Sequence, residues 1–258
     1  MPFVGNSGGS GGASSLGDLS DIGTMGEPIA QADNITETIT AMGGASAVRA
    51  AIDASQDSIA VEDMTGTGWT TLAGSGTHTE TWDGSELAMT VDVSGAGSGA
   101  VRHTTLLPSP LSWSLAARVA IVTGNGGSQR QAYIAAGVDA TNNVALALFG
   151  DGTLIASSTV GGSYGAHATV STTVPSGDRT GGQLWLLIEK YGGTLTYAWG
   201  IGSAGARPTA WTIIHINTTT TVVSAASGLL AQIGTVTDTG IAWAVDVRAI
   251  HSGRAGVL

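Results

Sequence analysis

Cysteine is absent from the 258 residues, which excludes disulfides and thiol chemistry. Charge is scarce as well: Asp, Glu, Lys and Arg make up 11% of the chain, against about 25% in an ordinary soluble domain. Lys190 is the only lysine, and eight arginines are scattered singly through a chain of formal net charge −10. Binding to phosphate backbones requires clustered Lys and Arg, so nucleic acid is not expected as a partner. No uninterrupted apolar run approaches the ~20 residues of a membrane-spanning helix, so no membrane insertion is expected. The opening residues MPFVGNSGGSGG have neither the basic start nor the apolar stretch of a secretion signal.

Motifs of catalysis are missing too. Glycosidases that work on a sheet face carry paired carboxylates, about 5–5.5 Å apart in retaining enzymes, and an E-x-D-x-x-E run on one strand would announce them. No such run occurs. Glu62 and Asp63 are adjacent and so face opposite sides of a strand, Asp246 is alone on its strand, and Glu189 beside Lys190 reads as a solvated strand residue. The five histidines, His78, His103, His167, His215 and His251, are dispersed, with no zinc-like spacing. No G-x-S-x-G elbow is present in a strand–turn–helix context. Gly124-Asn-Gly-Gly127 lacks the Lys-Ser/Thr end of a phosphate loop and reads as a turn. The chain is therefore not expected to be an enzyme.

What is abundant is glycine, at 40 residues, with Thr, Ser and Ala around it. All seven tryptophans lie between Trp69 and Trp243, which confines the large core-forming side chains to the later part of the chain. Two regions are expected. Residues 1–57 form a Gly/Ser-rich arm with one short helix, and residues 58–258 form a β domain long enough for its own core. Within the first, residues 1–15 are flexible in isolation. Ala45, Val48 and Ile52 fall at helical spacing behind Gly43-Gly44, with Ser46 as N-cap. So short a helix, with so narrow an apolar face, needs a partner surface to be stable.

From Ser58 onward the apolar period is two. Leu87–Val93 and Leu115–Val122 alternate, and Ile241, Trp243, Val245 and Val247 share a face opposite Asp246 and Arg248. Asp83-Gly84, Asp151-Gly152, Gly161-Gly162, Ser176-Gly177 and Gly192-Gly193 punctuate these runs as turns. Many short strands with glycine-bearing turns predict an antiparallel sandwich. Its clearest hairpin is Leu184–Lys190, turning through Tyr191-Gly192-Gly193 into Thr194–Trp199, followed by Trp211 and the strand Thr212–Ile216.

Two resemblances sharpen this reading. The stretch QADNITETITAMGGASAVRAAIDASQ, Gln31 to Gln56, is similar to the N-terminal connector of bacteriophage tail fibres and related virion appendages. It implies a virion protein attached to other virion proteins through its arm, carried outside by assembly and lysis, and homo-oligomeric, with a trimer as the fibre-like number. The hairpin, lone tryptophan and terminal aliphatic strand resemble the concanavalin-like, laminin-G-like jelly roll over about residues 58–258. That fold hosts lectins, glycosidases and inert modules alike.

The functions implied are, first, a phage appendage whose sandwich binds a host cell-surface glycan. The alternatives are a purely structural virion component, such as a capsid decoration, neck or baseplate protein, and a glycan-cleaving enzyme. Glycan binding requires an aromatic ring flanked by polar groups. Trp82, Tyr164 with His167, and Tyr191 are the candidates, with Trp82 and Tyr164 expected in loops. The remaining six tryptophans read as packing residues. No cofactor is expected beyond a structural calcium ion, which laminin-G-like sandwiches hold at a loop rim. Asp139–Asn143 and Asp151–Thr153 offer oxygens for it, although both also read as Asx turns.

Overall fold

The computed structural model describes residues 60–61, 64–92, 99–107, 112–124, 130–170, 174–202, 206–218, 221–223, 229–237 and 243–253. All lie in the second of the two units into which the chain divides, Ser58–Leu258. The expected arm and short helix fall outside the described residues.

Alternation builds the strands. In β4 (Leu87–Asp92), Leu87, Met89 and Val91 are buried, and Ala88 and Thr90 are partly exposed. In β6 (Trp113–Thr123), Trp113, Leu115, Ala117, Val119 and Ile121 join the main core. Burying alternate side chains on one face forces a second sheet to cover that face. Sheet A runs β13-β12-β11-β6-β15-β4-β3, with β1 paired to β15, and sheet B runs β10-β9-β8-β7-β14-β5-β2. Sheet A thus contains β1 (Ala60–Val61), β3 (Thr77–Trp82), β4, β6, β11 (Leu184–Tyr191), β12 (Thr194–Ile201), β13 (Thr212–Asn217) and β15 (Trp243–Gly253). Sheet B contains β2 (Thr70–Ser75), β5 (Gly99–Leu106), β7 (Arg130–Gly137), β8 (Asn143–Phe149), β9 (Leu154–Val160), β10 (Ser163–Val170) and β14 (Leu230–Thr237). The predicted sandwich is the observed architecture, and its strand pairs are antiparallel. One helix of five residues, α1 (Ser176–Thr180), stands where the sequence reading placed a turn.

Between the sheets, Trp243 of β15 donates its indole N–H to the Thr235 hydroxyl of β14. Thr235 in turn donates to the Gln131 carbonyl at 2.9 Å. A polar pair this deep is tolerable because both members are satisfied. The predicted hairpin is present: Tyr191 pairs with Thr194 across a two-residue Gly192-Gly193 turn, and Gly192 adopts φ 56°.

Chain connections fix which ends of the two sheets coincide. Six residues, Leu107–Ser112, join the end of β5 to the start of β6. The seven steps from Leu106 to Trp113 span at most about 25 Å, whereas β6 with 11 residues is about 36 Å long. The Leu106 end of sheet B and the Trp113 end of sheet A therefore share one end of the sandwich. Leu107 N–H donates to the Leu229 carbonyl there at 2.9 Å.

Candidate functional site

The four residues singled out from sequence do not form one site. Trp82 is the last residue of β3, not a loop residue. It is half-buried, 5.7 Å from Trp69 between ring centroids, and its ring lies where a side chain on Gly66 would intrude, 2.9 Å from the ideal Cβ. Tyr164 is the second residue of β10, again not in a loop, and is 64% exposed. Tyr191 closes the β11–β12 turn and is 63% exposed. Tyr164 pairs with Thr159, which pairs with Asn143 and hence lies in the Leu230–Leu106 row. Tyr191 adjoins the Lys190–Trp113 row. Both tyrosines therefore sit at the shared end defined above, whereas Trp82, in the Leu87–Val247–Val119–Leu184 row, lies towards the other.

His167 faces the seam where edge strands β10 and β13 meet. It stacks on His215 at 5.8 Å and 6°, with Tyr197 beneath both. The histidines are thus not all dispersed: the fold closes a sequence gap of 48 positions. Burial, followed by the His215 ring, holds His167 below the usual histidine range.

The calcium candidates are Asx turns. Asp139 Oδ1 accepts from Thr141 N at 2.7 Å, Thr141 Oγ1 at 2.8 Å and Asn142 Nδ2 at 3.1 Å. Those donors hold its carboxyl below the usual range. Asp151 Oδ1 accepts from Thr153 N at 2.9 Å. Among the described residues no group of three His, Cys, Asp or Glu gathers as metal ligands.

A denser constellation lies on the outer face of sheet A, which the sequence reading left unassigned. Across β11, β6 and β15, Trp185 is opposite Arg118, Leu187 opposite Ala116, and Ala116 opposite His251. The small Ala116 lets the Trp185 and His251 rings meet over it, edge to face, at 4.9 Å. Ala116, Trp185, Leu187 and Ala198 form a second hydrophobic cluster, with Trp211 and Ala249 packed on it. Arg207 brings its guanidinium over the Trp211 ring at 5.7 Å. This covering requires glycine beneath it: a Cβ on Gly200 would meet Pro208 at 2.8 Å, and one on Gly202 would meet the Trp185 indole nitrogen at 2.6 Å.

The same cover explains Glu189. Expected in solvent, it is only 6% exposed, on the outer face of a strand whose outer neighbours are Trp185 and Leu187. Arg207 is close enough for mutual electrostatic influence. Burial nonetheless lowers Arg207 to about 10, and its enclosed Nε, Nη1 and Nη2 atoms have no hydrogen-bond partners among the described residues.

His251 falls to about 4, first through burial and then through the positive charges of Arg207 and Arg118. Arg118 is lowered by burial and by Arg248. It makes one hydrogen bond among the described residues, Nη2 to the Arg248 carbonyl at 3.3 Å. Arg248 is differently placed, with Nε 3.5 Å from Glu86 Oε2 and Nη2 3.2 Å from Asp246 Oδ2. Burial and the Asp246 charge raise Glu86.

Sequence reasoning missed this face for a definite reason. A register shift in β15 between Val247 and Ala249 slips the alternation, so that Ile250 points into the core and His251 outward. The alternation read from the sequence runs from Ile241 to Arg248, short of His251. Arg207 had no signal at all, since it belongs to a connection.

No family model matches the chain, and no curated protein matches it. Solved structures do. The CBM2 module of the evolved Dit of Lactobacillus casei BL23 phage J-1 is 13% identical, with a TM-score of 0.52 over 76% of this chain and 94% of that one. The GH43B protein of the Bacteroides ovatus xyloglucan PUL is 14% identical, with a TM-score of 0.53 over 75% of this chain and 39% of that one. A Crh5 transglycosylase solved with NAG is 12% identical, with a TM-score of 0.50 over 78% of this chain and 86% of that one. At such identities the likeness is one of fold: the described residues make a concanavalin-like β-sandwich.

Proposed function

We propose that this chain is a bacteriophage virion appendage protein whose sandwich binds a host-surface glycan without cleaving it. The observation that carries the reading is the outer face of sheet A. There the partly exposed Trp211 and His251 rings, backed by the buried Trp185, lie beside Arg207 and Arg118, and the described residues leave the Arg207 guanidinium nitrogens and Arg118 Nε without hydrogen-bond partners. Aromatic surface next to uncommitted donors is the chemistry of sugar recognition, with stacking on the apolar sugar face and hydrogen bonds to hydroxyls. The sharing of its fold with a phage carbohydrate-binding module supports the reading. So does the connector-like stretch Gln31 to Gln56, through which the arm would join other virion proteins and sister chains, as a trimer if the fibre likeness holds. Copies held together convert weak sugar contacts into durable attachment. Tyr164 and Tyr191, exposed at one end, would provide a second stacking surface.

Binding is favoured over cleavage by the placement of the carboxylates. Asp246 pairs with Ala120 and Glu189 with Ser114, six positions apart along β6 and so about 20 Å apart. That exceeds the ~6.5–9.5 Å of an inverting pair. Glu86 and Asp246 are closer to each other, but both are ion-paired to Arg248, which competes for the carboxylate oxygens a glycosidic bond would need.

The test is binding of the labelled chain, made multivalent, to host cells before and after periodate oxidation of their surface sugars. Loss of binding after periodate supports the glycan reading. A folded chain that ignores cells infected by the intact phage moves the assignment to a structural virion part.

A further inference from the structure

We propose that the outer face of sheet A selects an anionic saccharide, whose acid group is received by Arg118 beside the Trp185–His251 pair. This rests on the glycan-binding reading above and specifies its ligand class. Eight arginines are distributed over 258 residues of net charge −10, yet Arg118, Arg207 and Arg248 converge here from β6, the 206–211 connection and β15. Their commitments differ. Arg248 is neutralised by Glu86 and Asp246. Arg207 has Glu189 as its electrostatic counterpart and is enclosed against Trp211. Among the described residues, Arg118 alone of the three has neither an ion pair nor a carboxylate acting on it, its one hydrogen bond goes to a backbone carbonyl, and its Nε has no partner.

A half-buried guanidinium without a counter-ion costs free energy that an incoming acid group would recover. The planar fork suits a carboxylate or a phosphate equally. Among the described residues, the charged groups that act on His251 are Arg207 from the connection and Arg118 from β6; Glu189 of β11 acts on Arg207, and Arg248 of β15, ion-paired to Asp246, acts on Arg118. An acid group docked at Arg118 would cancel positive charge next to the imidazole and allow it to take up a proton. A neutral sugar would bring no such change.

The experiment uses the full chain and calorimetry with matched probes: tetragalacturonate against its methyl ester, sialyllactose against lactose, and a glycerol-phosphate teichoic acid fragment against glycerol-linked sugar without phosphate. The expected result is at least tenfold tighter binding of one acidic member than its neutral partner, weakened by 0.5 M NaCl. Binding should tighten from pH 7.5 to 5.5 in the native chain but not in His251→Phe. Arg118→Gln should remove the acid preference, and Arg118→Lys should keep part of it, with circular dichroism showing both variants folded. The pair that responds distinguishes a carboxylate from a phosphate source. Equal binding of acidic and neutral members overturns this proposal and leaves the glycan reading intact. An acid preference that survives Arg118→Gln also overturns it, placing the anion elsewhere. No binding of any probe overturns this proposal, and a folded chain that also fails to bind untreated host cells overturns the glycan reading with it.

Discussion

Acid should destabilise this sandwich in part through the imidazole of His251. His251 is half-buried against Trp185, and burial plus the charges of Arg207 and Arg118 bring it down from 6.5 to about 4. Because the folded value lies below the unfolded one, the native state binds the proton less readily. Nothing is lost above about pH 6.5. The penalty accumulates as pH falls from there to about 4, and then levels off. A difference of between two and three pH units corresponds to roughly 3 kcal/mol at about 1.4 kcal/mol per unit. Solvent screening of a partly exposed ring reduces this to about 1.5–2 kcal/mol. The substitution to make is His251→Phe, which keeps a ring against Trp185 and removes only the titration. Its loss of Nδ1 costs little, because that atom has no hydrogen-bond partner among the described residues. Urea unfolding of both proteins at pH 7.5 and pH 4.5 isolates the effect, since titrations common to both cancel. The native chain should lose about 1.5–2 kcal/mol more than the variant between the two pH values. Losses equal to within about 0.5 kcal/mol would refute the argument, and with it the positive environment assigned to the outer face.

Four further outcomes follow from the packing. Trp185→Ala should lower stability by about 3–5 kcal/mol in urea unfolding, because the ring is fully buried and its removal leaves a cavity beneath the 206–211 connection. Gly200→Ala should cost about 1–3 kcal/mol by the same measurement, since its Cβ would collide with Pro208 and the Ala210 carbonyl at 2.8 Å. Arg207→Met should be neutral or stabilising in thermal unfolding, as it removes an enclosed guanidinium that has no hydrogen bonds among the described residues and keeps an apolar stem over Trp211. Tyr164→Ala and Tyr191→Ala should stay within about 0.5 kcal/mol of the parent, because both rings are largely in solvent.

Period-two alternation and glycine turns determined the sandwich from the sequence alone. Trp243, Val245 and Val247 could bury together only by sharing a strand face, and Gly192-Gly193 could join its strands only as a tight turn. The Asx turns at Asp139 and Asp151 were legible for the same reason, since they are local chemistry within five residues. What depended on distance was not legible. Glu189 looked solvated because nothing in LWLLIEKY tells that residues some twenty positions later cover that face. His167 and His215 looked unrelated because they meet only where two sheet edges come together. Eight arginines looked scattered because three of them converge through a strand, a bulged strand and a connection. Local conformational preference is encoded over a few residues, whereas the environment that sets a side chain's burial and charge is assembled from strands paired across the whole domain. The tertiary structure alone decided that Arg118, Trp185, Arg207 and His251 share one surface.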